Sequence, residues 1–216
     1  MGKRHNKEDF RLAFTPRVIA YLLLPLVLWP VSFILLRQYF AYAMLASSFA
    51  LALFTALVYR EIVLIKGGSA VLSILWGIVG AIALYAIFIA GAYVLRQMGL
   101  YSGVEAVYSM VYSQGTGIVL AAGLGMIGIF EEVYWRYGLQ RLFGSAGGVL
   151  AKFAWVFAAL FYGATHFLTA NLVLVLAAFV VGIVTSWIAS RRGIMASIIT
   201  HIVWIEMIIL VWPPRL

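Results

Sequence analysis

The 216-residue chain contains no cysteine. That excludes a disulfide, a thiolate nucleophile and a Cys-ligated metal, and it leaves the redox compartment unread. Charge is scarce as well. Only 10% of residues are charged, against roughly a quarter in soluble domains, and acidic residues number seven against fifteen lysines and arginines. With 65% hydrophobic residues and a mean hydropathy of +1.07, the chain reads as a polytopic membrane protein. The net charge of +8 does not point to nucleic acid, because the basic residues are dispersed at the ends of apolar runs, where they fit membrane topology. No internal repeat is visible, which weighs against an inverted-repeat transporter. Nothing resembles a long linker or a soluble second domain.

Residues 1–17 are polar and basic and read as a cytoplasmic tail. A lipid anchor is not expected, since Asn6 stands where the myristoylation pattern needs Ser or Thr. The run 18–36 is long enough to cross a bilayer core of ~30 Å. It exceeds the ~7–15 residues of a signal core, so it is read as a retained helix, although Ala41-Tyr42-Ala43 has the form of a cleavage site. Further apolar runs cover 40–65, 70–95, 117–143, 149–168, 172–190 and 194–212, with a loop carrying one amphipathic turn at 97–116. The expected fold is all-α, a polytopic membrane bundle of about seven transmembrane helices. With the N-terminus inside, Lys3, Arg4, Lys7, Arg11, Arg17, Arg60, Lys66, Arg136, Arg141, Lys152, Arg191 and Arg192 fall on the inner side, and only Arg37, Arg96 and Arg215 outside. That asymmetry matches the positive-inside rule. The expected setting is a multi-pass protein of a prokaryotic cytoplasmic membrane with a cytoplasmic N-terminus.

The acidic residues matter most where they interrupt the run at 117–143. Glu131, Glu132 and Arg136 follow a chargeless stretch in GIFEEVYWRYGLQR. An ionisable group at that depth costs about 2.5–3.5 kcal/mol on insertion scales and marks a functional site by default. Glu132 and Arg136 have i,i+4 spacing, and the guanidinium fork suits a carboxylate. Glu131 is turned about 100° away and has no local partner, so it is the free carboxylate. His166 in FYGATHF and His201 in IITHIVWIEM place imidazoles on two later runs, with Glu206 following. A carboxylate and an imidazole sharing a water make a general-base unit, and a second imidazole can donate to a developing oxyanion. Blander readings exist for each: interhelical hydrogen bonds for the histidines, a packing ion pair for Glu132 and Arg136, and a neutral or interfacial acid for Glu206. Trp155, Trp204, Trp212, Tyr134 and Tyr162 read mostly as interface belt or packing residues.

Glu131-Glu132-x-x-x-Arg136, then Tyr162-x-x-x-His166, then His201 resemble the motifs of the CAAX protease and bacteriocin-processing (CPBP) family, which includes the type II CAAX prenyl endopeptidases. The family pattern is EExxxR, FxxxH, then HxxxN or HxxxD. The resemblance covers 117–212 and leaves 18–116 as variable N-terminal helices and loop. It implies an intramembrane endopeptidase of the glutamic type without a metal cofactor. Glu131 and His166 would activate water and His201 would help form the oxyanion site, with Glu132 and Arg136 completing the first motif. The implied partners are a membrane-associated protein or peptide substrate and the lipid bilayer, with no nucleic acid. Two departures stand out. Tyr162 replaces Phe and adds a hydroxyl, and Ile205 stands where the family has Asn or Asp. Loss of one oxyanion donor costs ~10²–10³ in rate. Other readings are a zinc-dependent protease using Glu131, His166 and His201, for which HExxH is lacking, a non-catalytic immunity or scaffold protein, and a transporter or proton relay.

Overall fold

A computed structural model describes residues 15–60, 62, 69–115 and 117–214. The tail at 1–14, Lys66 and Arg215 lie outside the described residues. Among those described there is no strand, and the chain is a bundle of apolar helices. Six are long and apolar enough to cross a membrane: α1 (Pro16–Leu35), α2 (Arg37–Tyr59), α3 (Ala70–Gln97), α5 (Ile118–Gly144), α7 (Leu172–Arg192) and α8 (Ile194–Val211). Between α5 and α7, α6 (Ala154–Thr169) is apolar but shorter. At 1.5 Å per residue it spans about 24 Å, less than a ~30 Å hydrocarbon core. The seven apolar runs thus become six full spans and one partial one, in a multi-pass membrane protein. The stretch at 97–116 holds more than the single turn expected, since Ser102–Tyr112 forms the amphipathic helix α4.

Local chemistry sets the helix ends. Thr15 caps α1 by accepting from the Val18 amide, and Pro16 occupies the first turn, where its missing N–H is no loss. Pro30 then lies inside the helix. Beyond it Val31–Leu35 widens into a π-helical turn, in which the Leu36 amide reaches back to the Val31 carbonyl. A second π segment, Val133–Leu139, follows directly on the glutamate pair. The α-helical 100° per residue assumed across the first motif therefore holds only up to Glu132. Such widenings occur frequently at functional sites.

Successive spans alternate in direction, so the charges separate. Arg17, Arg60, Arg141, Lys152, Arg191 and Arg192 gather at one end, while Arg37 and Arg96 lie at the other. At the basic end the Arg141 guanidinium lies 4.9 Å from the Tyr59 ring centroid and that of Arg192 4.2 Å from Trp76. At the opposite end tyrosine hydroxyls hold the last turns of the chain: Tyr108 donates to the Ile208 carbonyl at 2.6 Å and Tyr101 to Pro214 at 3.0 Å. Arg136 departs from the inner-side expectation, because its side chain is buried within the bundle.

Candidate active site

Glu131 is thirteen residues from each end of α5, so it sits about 20 Å along the axis from either one. The helices bring His166, from the end of α6, and His201, from the first half of α8, to the same interior. All five candidate residues are buried: Glu132 is 0% exposed, His201 3%, and Glu131, Arg136 and His166 4% each. Charges held away from water need partners, and these partners define each residue's part.

Glu132 is fully committed. One oxygen accepts from His201 Nδ1 at 2.8 Å, and the other meets Arg136 Nε at 3.4 Å and the Ser197 hydroxyl. Arg136 in turn donates to the Thr185 hydroxyl of α7, and its guanidinium lies 4.7 Å from the Tyr162 ring centroid. Glu132 is therefore more than an ion-pair partner: it ties α5 to α8 and orients the His201 ring, leaving Nε2 free to act. The Ser197 hydroxyl also lies 2.9 Å from the Thr185 carbonyl oxygen of α7, so its single proton is shared between the two acceptors.

Glu131 has a different environment. Its Oε2 accepts from the Tyr162 hydroxyl at 2.9 Å, and among the described residues no cation forms an ion pair with it. The added hydroxyl at position 162 thus falls on the carboxylate that sequence spacing leaves free. Lone pairs remain on Glu131 for a further donor such as water.

Both ring nitrogens of His166 are occupied. Nδ1 lies 2.8 Å from the Tyr162 carbonyl oxygen, which can only accept, so Nδ1 carries the proton. Nε2 must then accept from the Trp29 indole N–H at 3.2 Å. Aromatic rings close the surroundings, with Tyr162, Trp29 and Phe33 centroids 4.7, 5.9 and 6.2 Å from the imidazole. Glu131, His166 and His201 do not form a ligand set in this arrangement. Among the described residues no three His, Asp or Glu side chains converge as metal ligands, and His166 has no uncommitted nitrogen.

Sequence reasoning missed three contributors. Trp29 lies in α1, far outside 117–212, and only tertiary packing brings it to His166. Thr185 and Ser197 are ordinary small polar residues of membrane helices; Ser197, four before His201, shares that histidine's face. Ile205 is partly buried and packs against the core. Glu206 faces the Gly125 side of α5, where a Cβ on that glycine would lie 3.7 Å from its Oε1. Gly125 is six residues, or about 9 Å, along α5 from Glu131, so Glu206 sits away from the carboxylate–imidazole cluster.

The fold and this interior define a helical membrane protein with a carboxylate–imidazole cluster buried midway along its spans. Residues 113–205 match the family model described as type II CAAX prenyl endopeptidase Rce1-like. Over that segment the chain is similar to the type II CAAX prenyl endopeptidases, which supports its assignment to the CPBP family of CAAX-type intramembrane proteases. No curated protein and no solved structure matches it.

Proposed function

We propose that the protein is an endopeptidase that hydrolyses a peptide bond of a membrane-associated protein or peptide, with Glu131 as general base. The observation that carries this is the division of labour in the pair: Glu132 is spent on Arg136, His201 and Ser197, whereas Glu131 is held by a single hydroxyl. Glu131 takes a proton from a water whose oxygen attacks the carbonyl carbon. The carbon–nitrogen bond then breaks and the proton passes to the leaving nitrogen, giving one new carboxyl and one new amine. His166 shares that water once the Trp29 N–H has left Nε2. His201, its Nδ1 held by Glu132, turns Nε2 toward the oxygen on which negative charge develops. With Ile205 apolar, the oxyanion site rests on fewer donors than the family pattern supplies.

Membrane peptides from cells carrying wild type or Glu131→Gln, compared by mass spectrometry, test this. A product seen only with wild type, at equal expression of both forms, is the expected result. Products shared by both forms would remove Glu131 from the chemistry. A non-catalytic scaffold is the second reading, favoured by Ile205, and it gives no product in either case. A proton-coupled transporter would instead lose gradient-driven uptake on the same substitution.

The basic end is taken as cytoplasmic, as the positive-inside rule requires, in the membrane of a prokaryotic cell. The cysteine-free chain suits a direct check. Ala146→Cys should resist a membrane-impermeant maleimide in intact cells while Gly99→Cys reacts, and the reverse pattern would invert the topology.

A further inference from the structure

At the end of the bundle that is poor in basic residues, a cleft of about 530 Å³ opens between the end of α1, α4 and the turn from α6 to α7. Its volume lies within the ~300–1,000 Å³ of ligand sites. Phe33, Val107, Met110 and Val173 supply apolar walls, and Thr169 and Arg37 supply polar ones.

The walls are braced against one another. Asn171 caps α7 through its side-chain oxygen, and its amide nitrogen donates to the Gly103 carbonyl of α4 at 2.9 Å. A Cβ at Gly103 would come within 2.6 Å of Val173, so the close approach of α4 to α7 needs glycine there. On the other flank, Gln114 donates to the Gln38 carbonyl at 3.0 Å, fixing the chain after α4 to the segment that carries Arg37. The cleft is thus held open by hydrogen bonds and close packing.

Two of its walls adjoin His166, which does not itself line the cleft. The Phe33 ring faces His166, and the Thr169 hydroxyl donates to the His166 carbonyl at 2.7 Å. Arg37 is exposed at the mouth, and among the described residues it forms no ion pair. A cation on the side that the charge bias leaves nearly empty, at the mouth of an apolar cleft whose Phe33 wall faces His166, suits an anionic group on an otherwise apolar chain.

We propose that this cleft receives the substrate as an extended peptide, with an apolar side chain seated among Phe33, Met110 and Val173 and an acidic side chain on Arg37. The proposal rests on the endopeptidase reading above. Phe33 lies in the last turn of α1 and Arg37 opens α2. The Phe33 ring faces the imidazole at 6.2 Å, whereas Arg37 lies at the exposed mouth. The acidic position therefore falls beyond the residue seated against Phe33, removed from the cleaved bond.

The test is a library of apolar membrane peptides, varied at each position and reconstituted with the full chain in proteoliposomes, with products sequenced by mass spectrometry. Wild type should favour Asp or Glu over Lys about fivefold at one position removed from the cut, the size of a solvent-exposed ion pair near 1 kcal/mol. Arg37→Glu should reverse that preference. Arg96→Glu, the same charge change at the same end but outside the cleft, should leave it as in wild type. An unchanged profile in Arg37→Glu, or a wild-type profile without acidic preference, overturns the cleft assignment and leaves the protease reading standing. Absence of any wild-type product overturns the protease reading, and this inference with it.

Discussion

Tyr162 holds both groups proposed to activate water: its hydroxyl donates to Glu131 at 2.9 Å and its carbonyl accepts from His166 Nδ1 at 2.8 Å. The backbone contact survives any substitution at 162, whereas the hydroxyl is particular to tyrosine. Tyr162→Phe should therefore leave the fold and His166 in place and change only the hold on Glu131. A kcat about tenfold lower, equivalent to about 1.4 kcal/mol in the barrier, with KM little altered, is the expected outcome. Equal kcat in the two forms would mean that the hydroxyl only satisfies a buried carboxylate.

Trp29 is the least expected member of the site, and its position makes a directional claim. The Nε2 lone pair of His166 can accept one in-plane hydrogen bond, and the indole N–H now takes it. Trp29→Phe keeps the aromatic bulk against Trp135 and His166 while removing the competing donor. The rate of peptide cleavage should rise. A fall, with KM unchanged, would show instead that the indole positions the imidazole and that its departure is no part of the cycle.

The helices and the first-motif glutamates were legible because hydrophobic length and buried charge are properties of single segments. Ile118–Gly144 and Leu172–Arg192 lie close to the apolar runs that gave them. The i,i+4 pairing of Glu132 with Arg136 was equally local, and the ion pair forms even though the helix widens between the two. What stayed hidden was relational. Neither the hold of Glu132 on His201 nor that of Trp29 on His166 follows from spacing, because each joins spans whose mutual rotation is set by packing. The helix α4 was reduced to a turn because its glycine, serines and single glutamate interrupt the long apolar run that marks a span, and its place over the cleft comes from tertiary bonds such as Asn171 to Gly103.

Arg136 offers a test of stability rather than rate. Its guanidinium is buried against Glu132 and Thr185, and removing one partner of a buried pair costs about 3–5 kcal/mol because the other charge is stranded. Arg136→Met should unfold well below wild type in detergent. Adding Glu132→Gln should recover part of the loss, since the stranded carboxylate is then gone. Unfolding of Arg136→Met at the wild-type temperature would show that Glu132 is adequately held by His201 and Ser197 alone.

Gly138 lies in the π segment behind the site, and a Cβ there would fall 1.8 Å from the Tyr21 hydroxyl oxygen and 2.9 Å from Thr55 Cγ2. Tyr21 has nowhere to retreat. It is fully buried, its hydroxyl bonds Thr55 at 2.7 Å and the Tyr134 carbonyl at 3.3 Å, and its ring stacks on Tyr134 with centroids 4.6 Å apart. Relief of the overlap must therefore push α5 away from α1 and α2, shifting Tyr134 and the neighbouring Trp135 that lines the site. Overpacking of this kind costs about 1–3 kcal/mol. Gly123→Ala, one span-half away with no atom within 4 Å of the added methyl, is the control; it should be neutral or gain up to about 1 kcal/mol of helix propensity. Thermal unfolding of the two variants side by side decides the matter: Gly138→Ala must fall below wild type while Gly123→Ala does not. Equal stability would mean that α1 and α5 slide freely at this crossing, and the close packing that brings Trp29 to His166 would lose its anchor.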